Sequence, residues 1–213
     1  MKPKYKLICL DADGVIFQGK EFWMDVHKAF GTYEQGKALT EKYLHNNYQK
    51  LVEEVVHKLW KGRDAKSFLE LINHREYMKG IKELFELIKN KGWISAIISG
   101  GELALSKRVQ KDFGIDYVFA NELVIKDGKV HGYNAMAGAG KERKADIIKD
   151  LCRKLSIGLK EVIYIGDTHY DIEAFKIVGK AIAFNTKCEE LKELADIVVD
   201  SNYLRDVVPY LDT

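Results

Sequence analysis

The sequence predicts an α/β fold, a doubly wound and mostly parallel sheet of Rossmann-like type that carries an inserted all-helical cap and a small β-hairpin. Three observations support this prediction. Short apolar runs recur along the chain, segments with helical periodicity lie between most of them, and the alternation is interrupted once, between residues 18 and 77. Short buried strands that alternate with amphipathic helices are typical of parallel sheets covered on both faces.

The predicted strands are short runs rich in apolar residues. They are Lys6–Leu10, Trp93–Ile98, Tyr117–Phe119, Val162–Ile165, Ala181–Phe184 and Ile197–Val199. Two helical stripes between them are Ile81, Leu84, Phe85 and Ile88, and Ile147, Ile148, Leu151 and Leu155. A hairpin is predicted where Asp127-Gly128 separates the arms 123–126 and 129–131, because Asp-Gly is a strong signal for a two-residue hairpin turn.

The interruption predicts a helical subdomain. Phe22, Val26 and Phe30 recur at helical spacing, as do Leu44, Tyr48, Leu51, Val55 and Leu59 over a longer stretch. We expect residues 1–17 and 78–213 to form the catalytic core and residues 18–77 to form a cap inserted after the first strand. Ligands of open α/β sheets bind beyond the carboxyl ends of the strands, so a cap at that edge would cover the site as a lid does.

The composition argues against several classes of protein. A chain of 213 residues, 46% of them hydrophobic, suits one core with a modest insertion, and a net charge of +2 with dispersed basic residues gives no sign of nucleic-acid binding. No apolar run reaches the ~18 residues of a membrane span, and the run after the basic N-terminus is too short for a secretory signal. The three distant cysteines form no Cys-x-x-Cys pair, so we expect a protein of the reducing cytoplasm. We expect this protein to be either a monomer or a homodimer.

Two pairs of acidic residues follow predicted strands. Asp11 and Asp13 come directly after the first strand, and Asp167 and Asp171 follow the strand that ends near Gly166. Alternate residues of an extended chain face the same way, so Asp11 and Asp13 can point at one ligand. The carboxyl ends of parallel strands meet at one edge of a sheet, where such a cluster of hard oxygens suits Mg²⁺.

A Ser-Gly-Gly sequence and a helical lysine complete the candidate set. Ser99 and Gly100 end another strand and precede a predicted helix, where a hydroxyl and backbone amides can hold phosphate. Lys144 lies in a predicted helix, and Lys141, three residues earlier, is its nearest rival. Taken alone, each of these features is also typical of an ordinary loop or of a solvated helix surface.

Together, these motifs resemble those of the haloacid dehalogenase superfamily. Asp11-Ala-Asp13-Gly-Val resembles its first motif, Ser99 its second, Lys144 its third and Gly166-Asp167-x-x-x-Asp171 its fourth, in the same order along the chain. The resemblance covers Lys6 to about Leu211, and within the superfamily it is strongest to the phosphoserine phosphatases. Ile98-Ser-Gly-Gly101, Phe119 to Lys129 and the segment from Lys144 to Phe184 carry that closer likeness.

The resemblance implies a Mg²⁺-dependent phosphatase that acts through an aspartyl-phosphate. Asp11 would be the nucleophile and Asp13 the general acid and base, while Ser99, Gly100 and Lys144 would bind phosphate. Asp11, Asp167 and the main-chain carbonyl of Asp13 would hold the metal, with Asp171 close by. The substrate would be a small phosphate monoester, with phosphoserine as one candidate.

The sequence departs from the phosphoserine phosphatases at three places. Gly14-Val15 replaces their Ser-Thr, Lys20 with Glu21 beside it stands where a cap acid is expected, and no arginine occurs in the region 48–59. These departures leave the phosphatase chemistry intact and leave the substrate open, with a sugar phosphate or an aromatic phosphate as the alternatives to phosphoserine. We expect Phe17, Glu21, Trp23 and His169 to contribute to the substrate pocket.

Other functions use related residues. A receiver-type signalling module also has an acidic pocket with a phosphorylated aspartate, but Asp13 and the long insertion argue against it. A phosphomutase uses the same acids, a dehalogenase would need neither Asp13 nor a metal, and a catalytically idle relative would not need the full set. The fold alone does not decide among them.

Overall fold

A computed structural model of the chain describes residues 5–19, 21–137 and 141–211. The strands are β1 Leu7–Leu10, β2 Ile94–Glu102, β3 Tyr117–Lys126, β4 Lys129–Asn134, β5 Val162–Gly166, β6 Lys180–Phe184 and β7 Ile197–Val199. They form one seven-stranded sheet in the order β4-β3-β2-β1-β5-β6-β7. The β3–β4 pair is antiparallel and the other pairs are parallel, so the predicted fold class is confirmed.

Helices follow the alternation that the sequence predicts. They are α1 Phe22–Ala29, α2 Tyr33–Tyr43, α3 Tyr48–Val52, α4 Lys66–His74, α5 Ile81–Lys91, α6 Leu103–Phe113, α7 Lys141–Leu155, α8 Ile172–Phe175 and α9 Glu189–Leu194. A π-helix, Glu53–Trp60, continues α3, and 3₁₀ helices cover Leu159–Glu161, His169–Asp171 and Leu204–Tyr210. Within the described ranges, no helix is both long enough and apolar enough to cross a membrane.

Strand β1 shows why the sheet is covered on both faces. Leu7 and Cys9 pack in a cluster that includes residues of α7, α8 and α9, whereas Ile8 and Leu10 pack in a second cluster with residues of α5 and α6. Alternation along the strand therefore directs Asp11, the next residue after Leu10, toward the face on which α7 lies.

The cap consists of the helices α1 to α4 and the π-helix, which come between β1 and β2. The long stripe predicted from Leu44 to Leu59 is not one helix. The Asn47 side chain accepts a hydrogen bond from the Lys50 amide at 3.0 Å, and as an N-cap residue it starts a new helix at Tyr48. The boundaries 18–77 that we infer for the cap stay a prediction.

The predicted hairpin is confirmed between β3 and β4. Asp127 and Gly128 both have positive φ, 51° and 71°, as a tight two-residue hairpin turn requires. The hairpin also binds the cap, because the Gly62 amide donates to the Val130 carbonyl at 2.8 Å and the Val130 amide donates to the Arg63 carbonyl at 2.9 Å. The cap is thereby attached to the core at a point remote from β1.

Candidate active site

A buried lysine joins two carboxylates at the carboxyl end of β1. Lys144 Nζ lies 2.7 Å from Asp11 Oδ2 and 2.6 Å from Asp171 Oδ1. Burial alone would lower the pKa of Lys144, but Asp11 and Asp171 raise it above its usual value, so the side chain is charged. Burial raises the pKa of Asp11, and Lys144 opposes that rise. The structure therefore brings together three side chains that the sequence singled out.

Asp171 is held by both of its carboxylate oxygens. Oδ1 accepts from Lys144 and from the Tyr164 hydroxyl at 2.8 Å, and Oδ2 accepts from the Asp167 and Thr168 amides at 3.0 and 2.9 Å. Burial favours the neutral acid, yet Lys144 and these donors hold the pKa of Asp171 below its ordinary value. Asp171 thus fixes both the lysine and the loop that carries Asp167.

Three buried carboxylates form a possible metal site. Oxygen atoms of Asp11, Asp167 and Asp171 all lie within 4.8 Å of one another. Gly14 makes room for this arrangement, since it has φ +80° and a Cβ there would lie only 2.3 Å from Asp167 Oδ2. A set of hard oxygen donors without histidine or cysteine fits Mg²⁺. The carboxylate of Asp13 lies outside this cluster, and the predicted role of its main-chain carbonyl stays a prediction.

Asp13 interacts with an arginine from the far end of the cap. Arg75 Nη2 lies 3.4 Å from Asp13 Oδ1, and Arg75 Nη1 lies 2.8 Å from Asp25 Oδ2. Burial raises the pKa of Asp13 to about 7 although Arg75 lowers it. A carboxyl group with that pKa exists in both protonation states near neutral pH, as a group that acts first as an acid and then as a base requires.

The second predicted motif lies beside Asp13. Ser99 is buried, its Oγ accepts from the Gly101 amide at 3.0 Å, and a Cβ at Gly101 would lie 2.7 Å from Asp13 Oδ2. These residues are still part of β2, and the following helix begins only at Leu103, capped by Glu102. The predicted helix therefore does follow this motif, and it begins two residues after Gly101.

A cavity of about 520 Å³ lies between the cap and this group of residues. Asp11, Asp13, Ser99, Gly100 and Lys144 line one end. Of the predicted pocket residues, Glu21, Trp23 and His169 also line the cavity, so the structure brings them to the site.

Phe17 is not among the lining residues, and that prediction is wrong. Its side chain is fully buried, stacks on Tyr77 with ring centroids 5.1 Å apart, and lies under the guanidinium group of Arg108. The chain turns after Asp13 and the Phe17 amide returns to the Ala12 carbonyl at 2.9 Å, but the Phe17 side chain enters the core while Asp13 lines the cavity. Lys20 and the side chain of Lys141 lie outside the described residues.

Several site residues were missed by sequence reasoning. Arg75 follows the last cap helix in a segment with no periodic pattern, and Tyr164 lies inside an apolar strand. Tyr48, Trp60 and Tyr133 line the cavity as well. Tyr48 lies in the predicted helical stripe, but helical spacing does not distinguish a core position from a pocket wall.

Comparison with known proteins agrees with this geometry. Residues 8–176 match the haloacid dehalogenase-like hydrolase family, to which the chain therefore belongs. The chain is 29% identical over 214 residues to the phosphoserine phosphatase of Methanocaldococcus jannaschii, covering 99% of this chain and 100% of that protein. It is 30% identical over 154 residues to the phosphoserine phosphatase of Lactococcus lactis subsp. lactis, covering 72% and 71%.

Solved structures give the same result. A phospho-aspartyl intermediate analogue of phosphoserine phosphatase superposes with a TM-score of 0.82 at 28% identity, covering 97% of this chain and 99% of that one. Within its family, the chain is a phosphatase.

Proposed function

We propose that the protein hydrolyses a small phosphate monoester in two steps at Asp11, with Mg²⁺ as cofactor. The observation that carries the proposal is the contact between Asp11 and Lys144, which both line the cavity, beside two further buried carboxylates. A carboxylate nucleophile divides one difficult displacement into the formation and the hydrolysis of an aspartyl-phosphate.

Asp11 and Asp167 would hold the metal, with the main-chain carbonyl of Asp13 as a further ligand and Asp171 close by. The donor set supports this assignment because it consists of buried oxygens only. Bound Mg²⁺ would offset the repulsion between the Asp11 carboxylate and the phosphate dianion. Since Asp171 already accepts five hydrogen bonds, its main contribution is to fix Lys144 and the 167–168 loop.

Asp13 supplies the proton transfers. In the first step its protonated form donates to the leaving alkoxide as the bond from Asp11 to phosphorus forms. In the second step the carboxylate takes a proton from the water that attacks the aspartyl-phosphate. A pKa of about 7 supports both roles, and the contact with Arg75 keeps the carboxyl group in place.

Ser99, Gly100 and Lys144 would hold the phosphoryl oxygens. Ser99 Oγ uses a lone pair to accept from the Gly101 amide, so its own proton remains available for a phosphate oxygen. Lys144 adds a fixed positive charge on the same side as Asp11. Placement and charge stabilisation of this kind account for most of the catalysis of phosphoryl transfer.

The relatives make phosphoserine the first substrate to assay, and we propose a cytoplasmic enzyme that needs neither nucleic acid nor a membrane. The test is phosphate release with Mg²⁺ or EDTA by the wild type, by Asp11→Asn and by Asp146→Asn, an exposed acid on α7. We expect Mg²⁺-dependent release that Asp11→Asn abolishes and Asp146→Asn retains. Near-normal turnover by a folded Asp11→Asn variant would refute the mechanism, and transfer of phosphate to a sugar without release would indicate a mutase.

A further inference from the structure

The wall of the cavity beyond the catalytic end is formed by aromatic and aliphatic side chains. Trp23, Tyr48, Trp60 and Tyr133 contribute rings, and Leu44, Leu51, Val52, Val55 and Val56 contribute aliphatic groups. Trp23 is central to this wall, since its ring stacks on Trp60 at 6.2 Å and meets Tyr133 edge-on at 5.6 Å. These rings support one another, so the wall is formed before any ligand enters.

The polar atoms of these rings are used within the protein. Trp23 Nε1 donates to the Gly100 carbonyl at 3.0 Å, and Trp60 Nε1 donates to Thr32 Oγ1 at 3.1 Å. The hydroxyls of Tyr48 and Tyr133 bond each other at 2.6 Å. The side chains therefore present mainly carbon to the ligand, while both indole N–H groups and one of the two tyrosine hydroxyl protons are already used.

The charge of the lining residues disfavours an anionic leaving group. Among the described residues that line the cavity, Lys144 is the one lysine or arginine, and it is engaged by Asp11 and Asp171. His27 also lines the cavity, but burial lowers its pKa to about 4, so it is neutral at physiological pH. Glu21 adds negative charge. His45 and His169 also line the cavity, where both rings contact Tyr170. A carboxylate held against the wall of Trp23 and Tyr133 would lose its hydration without meeting a lysine or arginine other than Lys144 among the described residues.

The cap helix departs from α-helical geometry at this wall. The segment Glu53–Trp60 is a π-helix, and its residues Val55, Val56 and Trp60 are all buried and line the cavity. π-Helical turns are rare and occur frequently at functional sites. The size of the cavity, about 520 Å³, lies within the range of pockets that enclose a ligand with one or two rings.

We infer that the substrate of this phosphatase carries an uncharged, apolar leaving group of at least the size of one aromatic ring, held against the wall that Trp23, the π-helix and Tyr133 form. This inference rests on the proposed function, because it assumes that the phosphate is bound at Asp11, Ser99 and Lys144. It goes beyond that proposal by stating which leaving group the cavity wall binds, namely an apolar group and not the amino acid part of phosphoserine.

The test compares three phosphate esters of primary alcohols, so that the bond broken is alike in each. They are 2-phenylethyl phosphate, phosphoserine and phosphocholine, which present an apolar, a zwitterionic and a cationic group. We expect kcat/KM for 2-phenylethyl phosphate to exceed that for each of the others by about 100-fold, the order that an apolar pocket provides. Values within tenfold, or a preference for phosphoserine or phosphocholine, would overturn the inference.

A matched pair of variants locates the effect. Leu44→Arg places a cation in the wall and should reduce the preference for 2-phenylethyl phosphate over phosphoserine by about tenfold or more. Leu69→Arg makes the same change at an exposed cap residue outside the lining and should leave the preference unchanged. Equal effects of the two variants would contradict the assignment, and the wild-type ranking alone decides the question if Leu44→Arg does not fold.

A third measurement separates this inference from the proposed function. Exchange of ¹⁸O from labelled water into inorganic phosphate requires the aspartyl-phosphate to form and hydrolyse but involves no leaving group other than water. Exchange accompanied by a preference for phosphoserine, or by no turnover of 2-phenylethyl phosphate, overturns the apolar assignment alone. Absence of both exchange and turnover in the folded wild-type enzyme with Mg²⁺ overturns the proposed function itself.

Discussion

Replacement of Lys144 by methionine should destabilise the protein strongly, because it removes the cation between two buried carboxylates. The lysine side chain is 7% exposed, and its Nζ lies 2.7 Å from Asp11 and 2.6 Å from Asp171. Methionine keeps most of the side-chain volume, so the change tests charge more than packing.

The magnitude follows from the geometry. Two unit charges 2.7 Å apart attract each other by about 6 kcal/mol at an effective dielectric constant of ~20. The cost of removing the groups from water offsets much of this attraction, and loss of one partner from a buried pair costs about 3–5 kcal/mol in practice. We expect the free energy of unfolding at pH 7 to fall by that amount. The loss should be smaller at pH 5, where Asp11 and Asp171 can bind protons instead.

The measurement is urea unfolding in EDTA and in Mg²⁺, with Lys149→Met as the control. Lys149 is an exposed lysine on the same helix, paired only with the exposed Asp146 among the described residues, so its loss should change stability by less than about 0.5 kcal/mol. Mg²⁺ should recover part of the stability of Lys144→Met, since the proposed ion binds Asp11. A folded Lys144→Met variant within about 1 kcal/mol of the wild type would refute the buried-pair reasoning.

Two further predictions concern pH. Burial raises the pKa of Glu102 to about 7, so the unfolded chain releases this proton at lower pH than the folded protein, and the contribution of Glu102 to wild-type stability declines between about pH 4.5 and 7. The stability of Glu102→Gln, measured by urea unfolding, should therefore rise by up to about 3 kcal/mol relative to that of the wild type between pH 5 and pH 8. A difference that stays constant over this range would disprove the prediction. Arg75 lowers the pKa of Asp13, so Arg75→Ala should move the alkaline limb of the pH profile of kcat/KM to higher pH. Asp25 raises that pKa, so Asp25→Asn should move the same limb to lower pH. Shifts of the same sign in the two variants would contradict the assignment of Asp13 as the group that titrates.

The sheet and the catalytic residues could be predicted because the local sequence patterns agree with the fold. Asp11, Ser99 and Asp167 each follow an apolar run, and parallel pairing brings the ends of such runs to one edge. Lys144 was recognised from its place among the four motifs. It reaches Asp11 because Asp11 follows β1 on the face of the sheet that α7 covers. The hairpin was predicted because its turn requires positive φ at both central residues, which Asp and Gly adopt readily.

The missed features depend on contacts between distant parts of the chain. Arg75 meets Asp13 across 62 residues of sequence, and no local pattern marks that contact. The π-helix keeps the same apolar positions as an α-helix, so periodicity did not reveal it. The Phe17 amide donates to the Ala12 carbonyl at 2.9 Å, so the residue stays near Asp11, but its side chain is buried in the core. The identity of the substrate depends on such distant contacts as well, because the cavity wall combines three separate regions of the chain.

The most direct test of the central claim is to trap the intermediate on Asp11. The enzyme is mixed with substrate and Mg²⁺, quenched, and treated with borohydride, which reduces an acyl phosphate to an alcohol and leaves homoserine in place of the phosphorylated aspartate. Peptide mass spectrometry should find homoserine at position 11, only when both substrate and Mg²⁺ are present, and not in Asp11→Asn. Steady phosphate release with homoserine at another aspartate, or with no trapped product at all, would contradict Asp11 as the nucleophile.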